Sequence, residues 1–185
     1  MRPNEKGPAT AGSVVVRRAT VSDLPGILEI YNHAVLNTTA TYDYEPRSME
    51  QRRAWYEAHE QCGLPILVAV HPEAGVIGWS SLNNYHDRPG YRHTCENSVY
   101  IAANWRGCGL GGRLLAPLVV SARELEKRVI LAVIDAQNAV SIRLHERHGF
   151  QIAGRLNQVG YKFNRWLDVV IMECLLKPDQ ELKSR

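Results

Sequence analysis

Arg106-Gly-Cys-Gly-Leu-Gly-Gly112 carries four glycines in seven residues, between a strand pattern and a helix pattern. Upstream, residues 96–101 alternate: Glu96, Ser98 and Tyr100 share one face, and Asn97, Val99 and Ile101 the other. Downstream, Leu114, Leu115, Leu118, Val119, Ala122 and Leu125 recur on one helical face. Pro117 interrupts that pattern, and an interior proline costs about 3 kcal/mol in a regular helix, so a kink or an irregular turn is expected there. A P-loop has the glycine spacing of Gly107 and Gly112, but Arg113-Leu114 replaces the Lys-Ser/Thr pair that would hold phosphate and magnesium. A dinucleotide fingerprint matches Gly107, Gly109 and Gly112, but 185 − 112 = 73 residues remain, too few for the second half of such a fold. A pyrophosphate cradle for coenzyme A suits consecutive unhindered N–H groups at a helix start, with Arg106 and Arg113 adding positive charge. A glycine-rich turn without a ligand stays open on this segment alone.

Working outward, residues 14–18 read as a first strand, and Thr20-Val-Ser-Asp23 resembles a capping box before a helix patterned on Leu24, Ile27, Leu28, Tyr31, Ala34 and Val35. A polar, aromatic-dotted loop spans 37–46. Ser48-Met-Glu-Gln51 opens a second helix to about Cys62. Residues 66–70 and 76–82 form a hairpin pattern, and 83–94 read as loop. Residues 129–134 are continuously apolar, as in a strand buried on both faces. A short helix over 138–147 stops at Gly149, and strands at 150–155 and 168–176 flank a turn-rich insert. The order β-α-α-β-β-β-α-β-α-β-β predicts an α/β (α+β) domain: a mixed central sheet of about seven strands with helices on both faces.

The chain's 185 residues suit one domain, expected at 14–177 between a flexible tail at 1–13 and a C-terminal tail at 178–185. Apolar residues make up 45% and the net charge is +3, which argues against disorder and against a nucleic-acid partner. No apolar run approaches the ~18 residues that span a bilayer, and the N-terminus shows no apolar signal region, so a cytoplasmic protein is expected. Cys62, Cys95, Cys108 and Cys174 form no CxxC, so free buried thiols and no metal site are expected.

Arg106-x-x-Gly109-x-Gly111 resembles the acetyl-CoA motif of the GNAT N-acetyltransferase superfamily. Asn138-Ala-Val-Ser-Ile-Arg-Leu-His-Glu-Arg-His-Gly-Phe150 resembles its second cofactor motif. The likeness covers nearly the whole chain. Ile30-Tyr-Asn-His-Ala-Val35, Glu96-Asn-Ser-Val-Tyr-Ile101, Leu144-His-Glu146 and Gln158-Val-Gly-Tyr-Lys-Phe-Asn-Arg-Trp-Leu-Asp168 resemble its phosphinothricin and methionine sulfoximine/sulfone acetyltransferase branch. The last run is the most specific, because no general structural rule asks for it.

The resemblance implies transfer of an acetyl group from acetyl-CoA to the amine of a small amino acid analogue, in a homodimer. It implies Glu96 as general base through a water, although a salt-bridged strand-end carboxylate would look the same in sequence. It implies His145 as hydrogen-bond donor to the coenzyme thiol and possible acid, the alternative being a structural histidine. Val99, Tyr100 and Ile101 would offer backbone to the pantetheine arm and to the developing oxyanion. Arg106, Gly107, Cys108, Gly109, Leu110, Gly111 and Gly112 would cradle the pyrophosphate, with Asn138 on the arm and Arg147 nearby. Arg88, Arg92 and Lys162 are candidates for the substrate carboxylate; Pro89, Gly90, Tyr91 and Tyr42 would line the pocket. Two departures stand out. Tyr85-His86-Asp87-Arg88-Pro89 shifts the arginine expected before Glu96, or replaces it by His86, and Cys108 stands where relatives often carry Lys, Arg or Thr. Other acceptors (a polyamine, an antibiotic, a protein N-terminus) and a non-catalytic acyl-CoA sensor remain alternatives.

Overall fold

The computed structural model describes residues 13–176. The expected C-terminal tail, and all of the expected N-terminal tail but Ser13, lie outside the described residues. The elements follow the predicted order: β1 (Val15–Arg18), α1 (Leu24–Asn37), α2 (Met49–Cys62), β2 (Ile66–His71), β3 (Gly75–Asn84), β4 (Thr94–Ile101), α3 (Leu110–Glu124), β5 (Val129–Asp135), α4 (Ala139–Glu146), β6 (Gln151–Lys162) and β7 (Arg165–Leu175). Local chemistry sets their ends. Ser48 and Gln51 cap each other's backbone at the start of α2, and Gly63 closes it at φ 66°, a left-handed conformation that glycine adopts without strain. The Thr20 N–H donates to Asp23 at 2.7 Å, but a short 3-10 turn over Val21–Asp23 precedes α1.

The seven strands form one sheet in the order β1-β2-β3-β4-β5-β7-β6. Only β4 and β5 run parallel, and they pair over just three positions, Thr94↔Val129 to Glu96↔Leu131. Beyond Glu96, β4 stays paired with β3 while β5 stays paired with β7. The sheet therefore splits into a wedge, and the β5-facing peptide groups of β4 lose their strand partner.

Alternation sends the two faces to two cores. Leu67, Ala69, Ile77 and Ile130 join α3, whose Leu114, Leu115 and Leu118 are fully buried. Ile66, Val68 and Trp79 pack on the other face against Leu24, Ile27 and Ile30 of α1 and against Trp55 and Tyr56 of α2. Helices thus cover both faces, as expected. The kink expected at Pro117 does not interrupt α3. Packing of the buried face offsets the missing N–H, and the neighbouring Leu114 carbonyl accepts a hydrogen bond from the buried Ser80 hydroxyl at 3.2 Å.

Two strand expectations need correction. β5 alternates, with Ile130, Ala132 and Ile134 buried but Val133 half exposed, because the wedge opens beside it. The supposed insert after residue 155 is ordered ladder. β6 and β7 form one long hairpin with irregularities at Ile152/Gly154 and Leu156/Gly160, and it turns at Phe163 (φ 51°) and Asn164 (φ 56°). Two successive left-handed residues make the tight turn that matches strand twist, but Phe is not a residue that signals it. Of the four thiols, Cys95 and Cys174 are buried, Cys108 is partly covered and Cys62 is exposed; all are free.

Candidate active site

The wedge is a cleft of about 290 Å³, walled by Asn97, Ser98, Val99 and Tyr100 of β4 and by Ala132, Val133, Ile134 and Asp135 of β5. Its β4 wall offers peptide N–H and C=O groups in strand geometry, which suits an extended, amide-bearing ligand arm. Asn138 and His145 also line it. The Asn138 side chain caps α4, its Oδ1 accepting the Ser141 N–H at 3.1 Å.

The glycine turn follows β4. Gly107 (φ 80°) and Gly109 (φ 77°) need the left-handed region, and a Cβ on either would meet nothing within 4 Å. These glycines therefore serve backbone shape and leave space in front of α3. Gly109 occupies the N-cap and has no side chain to cap with, so the first N–H groups of α3 keep no intrahelical acceptor. Gly111 does a different job: a Cβ there would come within 2.9 Å of Leu144 Cδ2, so it lets α3 approach α4. Arg106 reaches back to the Ile101 carbonyl at 3.3 Å, and the Arg113 guanidinium binds the Val14 carbonyl.

Glu96 lines this wedge and a second cleft as well, of about 420 Å³; Ser98 and Tyr100, on the same face of β4, also line both. Burial raises the pKa of its carboxyl above the ordinary value. None of the ion pairs among the described residues involves it. His145 is buried, edge-on to Phe150 with ring centroids 4.9 Å apart. Its Nδ1 faces the Ser141 carbonyl at 2.8 Å and must carry the proton; its Nε2 then accepts from Asn97 Nδ2 at 2.9 Å. Burial lowers the pKa of the ring, which favours this neutral form. So placed, the ring has no N–H to spare for a thiol, and a donor role would require the disfavoured imidazolium.

Tyr31, Arg52, Trp55, Trp79, Ser81 and Asn83 wall the second cleft, with Ser98 and Tyr100 of β4. The Trp79 and Tyr100 rings stack with centroids 4.7 Å apart. Tyr31 donates to Asp43 at 2.7 Å, and Arg47 pairs with the same carboxylate at 2.7 Å. A cavity in which four aromatic residues stand among seven polar or charged ones fits a small polar molecule.

A cleft beside an unpaired strand edge, an uncapped glycine turn and a glutamate lining two cavities are thus present around one sheet. Residues 16–171 match the family described as "Acetyltransferase (GNAT) domain". The chain belongs to the GNAT acetyltransferase family. It is 46% identical over 166 residues to the L-methionine sulfoximine/L-methionine sulfone acetyltransferase of Pseudomonas paraeruginosa, covering 90% of this chain and 96% of that protein. It is 38% identical over 159 residues to the phosphinothricin N-acetyltransferase of Alcaligenes faecalis, covering 85% and 80%. Among solved structures, yncA of Salmonella typhimurium, determined with its cofactor acetyl-CoA, superposes with a TM-score of 0.87 at 40% identity, covering 93% of this chain and 99% of that one.

Of the acceptor residues expected in this GNAT chain, Tyr42 lines the wedge, its hydroxyl buried without a partner and its ring lying against Gly160. Arg88, Pro89, Gly90, Tyr91 and Arg92 form an exposed turn and line neither cleft. Arg147, at the end of α4, is exposed and lines neither. Lys162 is buried, and its ammonium is occupied by the Thr38 carbonyl at 2.9 Å and the Thr41 carbonyl at 2.7 Å. With the bond from Tyr44 to the Tyr161 carbonyl at 2.5 Å, it ties the loop bearing Tyr42 to the hairpin. That tie explains the Gly160 to Asp168 run physically: Gly160 clears the Tyr42 ring, Lys162 holds the loop, and Asp168 braces the strand by binding Arg155 at 2.5 Å and the Gln158 N–H at 2.8 Å.

Sequence reasoning passed over Arg52 and Asn97. A signal for Arg52 existed: with Trp55, Tyr56 and His59 it stands at i, i+3, i+4 and i+7, in the buried stripe of α2.

Proposed function

We propose that this protein transfers the acetyl group of acetyl-CoA to the amino group of a small amino acid analogue: phosphinothricin, methionine sulfoximine or methionine sulfone. The observation that carries this is Glu96, a buried-carboxyl residue that lines both clefts, where a donor and an acceptor would meet. The names of the relatives above support the acceptor class. The open edge of β4 and the N-terminus of α3 would hold the donor's pantetheine arm and pyrophosphate, with Arg106 and Asn138 beside them.

Glu96, directly or through a water, takes a proton from the acceptor ammonium. The freed amine attacks the thioester carbonyl carbon, forming the C–N bond. A backbone N–H in Val99 to Ile101 stabilises the oxyanion. Collapse breaks the C–S bond, the nitrogen loses its second proton, and the leaving thiolate takes one up. No acyl-enzyme is needed. His145 acts here by fixing Asn97 on the wedge wall. The proposal includes a homodimer working in the cytoplasm, which sedimentation and cell fractionation would check.

The test is thiol release from acetyl-CoA with phosphinothricin, methionine sulfoximine, methionine sulfone and spermidine in parallel. Turnover is expected with at least one of the first three and not with spermidine. Acetyl-CoA binding without turnover on any of the three would overturn the acceptor assignment.

A further inference from the structure

We propose that Arg52 is the anchor for the acceptor's carboxylate. The inference rests on the amino acid reading above and adds the residue that enforces it. Arg52 is only 5% exposed, in a stripe of α2 whose other members are the buried His59 and the partly buried Trp55 and Tyr56. Its guanidinium carbon lies 4.6 Å from the centroid of the Tyr31 ring, 4.5 Å from Trp55 and 5.5 Å from Trp79. These rings give cation–π attraction but accept no strong hydrogen bond. Its Nε is buried with no hydrogen-bond partner. The ion pairs among the described residues leave it out, and the nearby Asp43 is committed to Arg47 and Tyr31.

A buried charge without a counter-ion is costly, and a carboxylate supplies what is missing in two parallel bonds to a planar fork. Arg52 and Glu96 line the same cleft without pairing. One side chain is cationic and the other can take the ammonium proton, which matches the two charges of a free α-amino acid. Arg88 and Arg92 line neither cleft, and Lys162 is already occupied.

The experiment compares methionine sulfone with its α-carboxamide, which keeps the amine and the sulfone but removes the negative charge. Turnover is read as kcat/KM in the wild type, Arg52→Met and Arg52→Lys. Binding is read without acetyl-CoA by the tryptophan fluorescence of the same proteins, since Trp55 and Trp79 flank Arg52. The wild type should favour the acid by about 100-fold, the scale for leaving one member of a buried charge pair alone. Arg52→Met should bring the ratio to near unity, and Arg52→Lys should leave an intermediate preference. If the acid binds through Arg52 yet no acceptor turns over, the carboxylate anchor stands and the acetyl-transfer reading falls. An unchanged acid preference in a folded Arg52→Met protein, or no acid binding by the wild type, would overturn the anchor. So would loss of the preference for methionine sulfone over methionine while the acid preference persists, because Arg52 would then hold the sulfone oxygens. Should Arg52→Met fail to fold, an undiminished acid preference in Arg52→Lys would count against the anchor equally.

Discussion

The two clefts that meet at Glu96 are built from different materials. The wedge between β4 and β5 exposes the backbone of a strand edge without a partner, and β4 leads on to a glycine turn in left-handed conformations and a helix start without a cap. The second cavity gathers the side chains of Tyr31, Arg52, Trp55, Trp79 and Tyr100 from two helices and two strands. Peptide groups recognise what every amide-bearing arm shares, whereas a side-chain box selects one shape and charge. Under the proposed function the first cleft would be common to a superfamily while the second would set the acceptor.

The contrast is broken most severely at Glu96, the acidic residue among the three that line both clefts. Glu96→Gln should lower kcat by about 10²- to 10⁴-fold, the usual range for losing a general base, while acetyl-CoA binding persists. The wild-type kcat/KM should fall on acidification with a midpoint above the ordinary glutamate value, because burial raises the Glu96 pKa, and the variant should lack that limb. The stability effect has the opposite sign. A carboxyl with a raised folded pKa favours folding below its unfolded pKa, and that contribution disappears as pH rises through the folded pKa. At neutral pH ionised Glu96 is thus a burden, so Glu96→Gln should raise Tm there and lose the advantage at low pH in calorimetry.

Next in size is the tie between hairpin and loop. Lys162→Met removes two bonds to carbonyls of the loop that carries Tyr42, at a cost of about 2 kcal/mol. Thermal unfolding should show a Tm roughly 4–8 °C lower, and steady-state kinetics a raised acceptor KM with the acetyl-CoA KM little moved.

Gly109→Ala should do the converse. A side chain at φ 77° costs about 1 kcal/mol and disturbs the N–H groups at the start of α3, so the acetyl-CoA KM rises several-fold with the acceptor KM unchanged. The smallest effect is expected at Arg88→Ala and Arg92→Ala: their exposed turn lines neither cleft, so acceptor kcat/KM should stay within about twofold. A tenfold loss at either would return the carboxylate contact to that turn.

The donor side was far more legible in the sequence than the acceptor side, for a physical reason. Gly107 and Gly109 are needed by local backbone conformation, Ser48 and Gln51 by local capping, and the α3 stripe by a 3.6-residue period. Each constraint acts over a few residues and marks the chain where it acts. The acceptor cleft gathers Tyr31, Arg52, Trp79 and Glu96 from separate elements, and no spacing rule relates them. Lys162 shows the same limit: its type suggested a carboxylate partner, but the carbonyls it meets, at Thr38 and Thr41, come from more than 120 positions away. Phe163 hid the hairpin turn because a phenylalanine at φ 51° is held by the flanking ladder and not by its own preference.

By itself, then, the sequence determined the order of strands and helices, the glycine turn at a helix start and the presence of Glu96 on an alternating strand. Those follow from propensity, period and capping, which are local. Only the tertiary structure decided that β4 and β5 part after Glu96, that His145 spends its proton on the Ser141 carbonyl, and that a guanidinium stands unpaired among three aromatic rings. Those depend on which surfaces meet when the chain closes, and the partner in each case is remote in sequence.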